Sequence, residues 1–296
     1  MHRVPAPLLF LFSGVTQYVG AGLAVGLFTV VPPTAVAWSR IAVAAVILLV
    51  WGRPWTRRWD GPALRAAVLF GVVLAAMNCT FYASLDYLPL GNAVAIEFIG
   101  PVLVGALTGR GVRERVAIAL ALVGVVLLAG VTVTSGDEGA VTGIVLVLAA
   151  AACWAGYILL GRKVSQQGTG LGPLAVGMAA GAVVFAPFFG PSSTPLFTDW
   201  GYLAALVGIA VASSVVPYGI DQVALRRLRP AQFSILLAIW PASALLVGTV
   251  MLRQVPHGLE IVGLALVSVA IALTGRAPAP APPRSAGAAG TIEPTD

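Results

Sequence analysis

Apolar runs of about twenty residues follow one another along most of the chain, and nothing else narrows its possible folds so sharply. At ~1.5 Å of rise per residue, about twenty apolar residues carry a helix across a ~30 Å hydrocarbon core. Ten such runs are expected as transmembrane helices, at 8–28, 33–51, 64–83, 90–108, 115–133, 140–161, 172–190, 201–219, 231–251 and 258–275. Only 9% of the 296 residues are charged and the mean hydropathy is +0.96, so a soluble domain of this length is excluded for want of a charged surface. The expected class is an all-α, multi-pass membrane protein. The first run keeps Gln17 and has no convincing cleavage site, so it reads as a retained span and not as a signal peptide.

The basic residues alternate. Fifteen of the seventeen Lys and Arg fall at the termini or in the even-numbered connections, from Arg53, Arg57, Arg58 and Arg65 to Arg226, Arg227 and Arg229. The odd-numbered connections hold only Arg253 among basic residues, with Asp86, Asp137, Glu138 and Asp199. This asymmetry orients the chain in a cell (inner or plasma) membrane with both termini in the cytoplasm. It also accounts for the net charge of +6, and nucleic acid is not an expected partner. Trp51, Trp55, Trp59 and Trp200 read as interfacial anchors, and the Pro/Ala-rich residues 276–296 as a disordered cytoplasmic tail.

Shifting the chain by 140 residues lays Leu85–Leu88 on Leu225–Leu228, Asn92 on Gln232 and Pro101 on Pro241. Five runs per copy is an odd number, so the second copy enters the membrane upside down. The charges agree, because Asp86 becomes Arg226 and Pro89 becomes Arg229 as that connection changes sides. The expected organisation is two inverted five-helix repeats, 1–133 and 140–275. Secondary transporters are built in this way, with broken helices at the repeat interface.

One such break is written in Leu90–Pro101, LGNAVAIEFIGP. Glu97 stands ~10 Å inside the run that opens at Leu90. Pro101 has no N–H to give the Glu97 carbonyl. One turn therefore carries an ionisable side chain and a free backbone acceptor. Intramembrane acids default to function, and Glu97 reads as a proton-titrating or cation-binding group; the alternative is a carboxyl bonded to a neighbouring helix. Asn78 and Tyr82 lie one turn apart, and Trp154 and Tyr157 share a side of their run. These groups suit either a small solute or a bridge between helices. Arg40, the one basic residue well inside a run, could pair with Glu97, take a substrate carboxylate or act as a buried clamp, with the clamp preferred. Glu260 and Asp221 read as solvated interfacial charges. Gly22-x-x-x-Gly26 and Gly177-x-x-x-Gly181 permit close helix approach. Cys79 and Cys153 read as packing residues; His2 and His257 lie near run ends, so no metal site or cofactor is expected.

Met77–Tyr82 (MNCTFY), Pro89–Pro101, Ala152–Ile158 (ACWAGYI) and Pro217-Tyr218 resemble the drug/metabolite transporter superfamily, and within it the bacterial threonine/homoserine exporters with paired EamA-type repeats. The likeness runs over most of 8–275. It implies ten helices, a central cavity between the halves, and export of amino acids or related metabolites by exchange with protons. The residues that match are Asn78, Tyr82, Glu97, Pro101, Trp154, Tyr157, Pro217 and Tyr218. Where that family has a glutamate just before the second helix-breaking proline, Pro241, this chain has Trp240; Asp221 stands where a glutamate is usual. Trp240 at the cavity implies solutes larger or more apolar than threonine; the alternative is an indole that only packs against lipid or a neighbouring helix.

The expected function is therefore a secondary transporter exporting small metabolites, with a small solute, protons and the bilayer as partners. The expected substrate-binding set is Glu97, Asn78, Tyr82, Trp154, Tyr157, Tyr218 and Trp240; Glu97 is also the proton-coupling residue, and Pro101 and Pro241 break helices. A facilitative carrier of a larger apolar drug or metabolite is the alternative. A polytopic membrane enzyme fits poorly, because no H-E-x-x-H, G-x-S-x-G or P-loop pattern is present. A channel would need a filter or rings of charge that the sequence lacks.

Overall fold

The computed structural model describes residues 6–56, 58–108, 111–134, 138–166, 171–218, 220 and 237–274, all helices and short connections with no strand among them. Helix boundaries fall where the chain chemistry puts them. After α1 (Ala6–Val25) and a 3-10 turn at Gly26–Thr29, Pro33 opens α2 (Pro33–Gly52) at a position where no N–H is needed. Arg53, left-handed at φ 40°, ends α2. Asp60 caps α3 (Gly61–Ser84) by accepting the Ala63 N–H at 2.8 Å. Then come α4 (Leu90–Glu97), α5 (Ile99–Thr108), α6 (Val112–Thr134), α7 (Ala140–Gln166) and α8 (Gly172–Phe189). A short α9 (Thr194–Thr198) leads to Asp199, which caps α10 (Trp200–Ala210) through the Gly201 and Tyr202 N–H groups. α10 runs on into a π turn at Val211–Val215. The last two described helices are α11 (Trp240–Leu252) and α12 (Gly258–Thr274).

Six stretches are long and apolar enough to cross a membrane: Leu8–Thr29, Pro33–Gly52, Gly61–Ser84, Ala140–Gly161, Gly172–Phe189 and Trp200–Tyr218. Leu90–Val104, Trp240–Leu252 and Gly258–Leu273 are shorter apolar helices. The chain is thus an all-helical, multi-pass membrane protein. Val46, Val50, Val183 and Phe188 are all more than 60% exposed, as side chains facing lipid are. Trp51, Trp55 and Trp200 are likewise exposed, in keeping with interfacial anchoring.

Two apolar cores hold the bundle. The larger joins α1, the inner faces of α3 and α4, and α11 and α12, around Tyr82, Phe98 and Trp240. The smaller joins α2, α3 and α8 around Ile41, Phe70 and Met178. The two glycine motifs part company. A Cβ on Gly71 would run into the Gly177 backbone, and one on Gly181 would sit 2.8 Å from the Ala75 Cβ, so Gly177-x-x-x-Gly181 is where α8 closes on α3. A Cβ on Gly26 meets nothing within 4 Å, and Gly22 faces Val247 and Met251 at ordinary contact distance. Gly71→Val should therefore lower stability by about 1–3 kcal/mol or more, whereas Gly26→Val should stay within about 0.5 kcal/mol of the parent. Thermal unfolding of the two purified variants in detergent checks this.

Candidate functional site: a buried cation, a buried acid and a broken helix

The fourth apolar run is interrupted at the expected place. α4 stops at Glu97, Phe98 forms a turn, and α5 starts at Ile99, with the ladder resuming as the Val102 N–H donates to the Phe98 carbonyl at 3.1 Å. Pro101 withholds the N–H that the Glu97 carbonyl would have accepted. The Glu97 side chain is buried, 8% exposed, and among the described residues it makes no hydrogen bond and no ion pair. Pro241 stands in the first turn of α11, which begins at Trp240 after a turn at 238–239; the part of the ninth run before residue 237 lies outside the described residues.

Arg40, on α2, is 4% exposed and has three hydrogen bonds. Its Nη2 donates to the Asn78 Oδ1 on α3, and Nη1 donates to the Ser213 carbonyl at 3.2 Å and the Ser213 Oγ at 3.0 Å. The Asn78 amide is held in that orientation because its Nδ2 donates to the Leu74 carbonyl at 2.8 Å. The guanidinium carbon stands 4.7 Å from the centre of the Tyr82 ring, close enough for a cation–π contact. Ser213 lies in the π turn, and Pro217, four residues on, cannot donate to its carbonyl. Arg40 thus donates to a backbone acceptor that Pro217 cannot serve. It does this without a counter-ion, since no carboxylate among the described residues lies within 4 Å of it.

A line of aromatic rings runs through Phe98, next to Glu97. Tyr18 meets Trp240 edge-on with centroids 6.1 Å apart, Trp240 meets Phe98 at 6.3 Å, and Phe98 meets Trp154 at 4.7 Å. Trp240 is 4% exposed, so it does not anchor in lipid. Gly14 makes room for its indole, since a Cβ there would stand 3.1 Å from Cδ1. The Trp240 Nε1, the Tyr82 hydroxyl and the Arg40 Nε are all buried without a hydrogen-bond partner.

Of the expected site residues, Asn78, Tyr82, Glu97, Trp154 and Trp240 are grouped by Arg40 and Phe98. Tyr157 and Tyr218 lie elsewhere, against the smaller core, with Tyr157 4.7 Å from Phe70. Asp221 falls outside the described residues. Glu260 departs from expectation. It is not solvated but 6% exposed, accepting hydrogen bonds from the Asn92 Nδ2 and, at 2.7 Å, from the His257 N–H. The Gln254 Oε1 beside it accepts the Leu90 N–H at 2.9 Å, so the start of α4 is tied to the connection before α12 around a cavity of about 150 Å³. Asn92 could have signalled this, since an amide that deep in an apolar helix needs a partner. The π turn was signalled by Pro217 alone.

Comparisons with known proteins supply the family. Residues 141–276 match the EamA-like transporter family. The threonine/homoserine exporter RhtA of Salmonella typhimurium (strain LT2) is 32% identical over 253 residues, covering 85% of this chain and 84% of the exporter. The chain belongs to the EamA-like transporter family. RhtA of Escherichia coli (strain K12) matches this transporter with the same identity and coverage, and an uncharacterized transporter of Archaeoglobus fulgidus is 25% identical over 253 residues. One solved crystal structure shares the fold with a TM-score of 0.59 at 18% identity, over 90% of this chain and 95% of that one. The buried pair therefore belongs to a transporter and not to an enzyme.

Proposed function

We propose that this transporter exports small amino compounds across the inner membrane in exchange for protons, taking amino acids of the threonine/homoserine type and larger, more apolar ones. The observation that carries the reading is Glu97, a buried carboxyl at a helix break with no hydrogen bond of its own among the described residues. A carboxyl so placed can hold a proton in one state and an ammonium group in the other. In this reading Asn78, Tyr82, Trp154 and Trp240 are the further groups that meet the solute, with Tyr157 and Tyr218 reached on the side of the smaller core.

The proposed frame is ten spans in two inverted repeats with both termini cytoplasmic. The helix packing supports it. When each run is exchanged for the one five places away, the contact of α1 with α11 becomes that of α7 with α4 and α5. The contact of α3 with α7 becomes that of the π turn and α10 with α1, and α3 with α8 becomes α10 with α2. The pairs α2 with α8 and α6 with α12 map onto themselves. The family match over 141–276 supports a second repeat starting near 140, and the distribution of Lys and Arg supports the orientation.

Counterflow tests the function. Liposomes containing the purified chain and loaded with unlabelled threonine or phenylalanine should accumulate the external labelled solute transiently, well above protein-free liposomes. Absence of counterflow across a full amino-acid panel would rule out this substrate class.

A further inference from the structure

We infer that Gln254 and Glu260 latch the start of α4 from the other half of the chain, and that α4 parts from α11 and α12 when this latch lets go during transport. The export reading assigns neither residue a role; it supplies only the frame in which the connection between α11 and α12 faces the outside.

The first N–H groups of a helix have no partner within it. A side chain at the preceding residue commonly accepts one of them, but Pro89 offers none to α4. The Gln254 Oε1 accepts the Leu90 N–H instead, at 2.9 Å and across 164 residues of sequence. Gln254 is itself held in place. Left-handed Arg253 (φ 56°) ends α11, and the Gln254 N–H returns to the Gly248 carbonyl at 3.0 Å. Glu260 divides its two oxygens. Oε2 takes the His257 N–H at 2.7 Å, which is ordinary capping at the start of α12. Oε1 takes the Asn92 Nδ2 in the first turn of α4, a contact that serves nothing within α12.

The surroundings let these contacts separate. A cavity of about 150 Å³ lies between α4 and the connection, bordered by Pro89, Asn92, Gln254, His257 and Glu260. Polar groups and space thus stand where a fixed helix contact would be filled with apolar side chains. The His257 side chain is 78% exposed, which brings the rim of the cavity to the surface. At its far end α4 carries Glu97, and all eight of its residues are buried. A helix this short moves as one rod between Pro89 and the turn at Phe98, so releasing its start shifts Glu97 with it.

A reversible tether tests the latch. A Cβ on Gly91 would stand 3.6 Å from the Leu245 Cβ on α11, inside the roughly 3.5–4.5 Å that a disulfide needs. In a chain whose Cys79 and Cys153 are replaced by Ala, oxidation of Gly91→Cys/Leu245→Cys should lower threonine counterflow about tenfold or more, and dithiothreitol should restore it. Unchanged counterflow after the thiols have paired would show that α4 and α11 travel together, overturning the latch and leaving export intact. A second measurement needs neither the disulfide nor transport. Leu245→Cys in the same background is labelled with a water-soluble maleimide on the purified chain. Labelling should speed up about tenfold or more in Asn92→Leu/Gln254→Met, which lacks both contacts, while Met178→Cys in the smaller core keeps its rate. Equal labelling of Leu245→Cys with and without the two substitutions overturns the latch. Faster labelling at both positions overturns it as well, since the contacts then hold the whole fold together. If no amino acid gives counterflow, the export reading fails and the labelling alone decides the latch.

Discussion

Glu97→Gln should reduce proton-gradient-driven transport to the background of protein-free liposomes while leaving solute counterflow in place. The amide has the volume of the carboxyl and keeps an oxygen that can accept from an ammonium group, so the helix break at Phe98 and the packing around it should survive. What it loses is the ability to take up and release a proton. In an exchanger that single ability links the two fluxes, so the expected loss is total for coupled transport and partial at most for exchange. Unchanged dependence on the pH gradient would remove Glu97 from the coupling role.

Trp240→Ala should reorder the solutes. The indole is buried between Tyr18 and Phe98, with its Nε1 unpartnered, at the first residue of the helix that Pro241 opens. An ammonium-bearing solute near its face gains ~0.5–2 kcal/mol, roughly 2- to 30-fold in affinity. Apolar side chains buried against it gain ~25 cal/mol per Å². Truncation should therefore weaken phenylalanine by about tenfold or more and threonine much less, and Trp240→Glu should move preference further toward small polar amino acids. Competition assays on the three proteins check this. The same rank order of solutes in wild type and Trp240→Ala would mean that the indole only packs.

The legible parts of the molecule were those set by near neighbours in sequence. Hydropathy located the helices because a membrane helix pairs its own backbone, and only length and apolar content matter. Pro101 announced the break at Phe98 because its missing N–H acts four residues back, on the Glu97 carbonyl. Arg40 was different. Its partners Asn78 and Ser213 lie 38 and 173 residues away, and no spacing rule connects them. Glu260 looked like a solvated acid in a first turn, next to His257; its burial comes from Asn92, 168 residues away. Two glycine motifs of the same form, at Gly22 and Gly177, could not be ranked until the helices they face were known.

Solute-driven proton movement tests the central claim most directly. Purified protein is placed in liposomes holding a pH-sensitive dye, with no imposed gradient, and amino acid is added outside. Exchange carries solute in and protons out, so the lumen of wild-type liposomes should become alkaline, while Glu97→Gln liposomes that still show counterflow should give no change. Wild-type counterflow without any change in lumenal pH, or equal alkalinisation in the variant, would contradict proton exchange at Glu97.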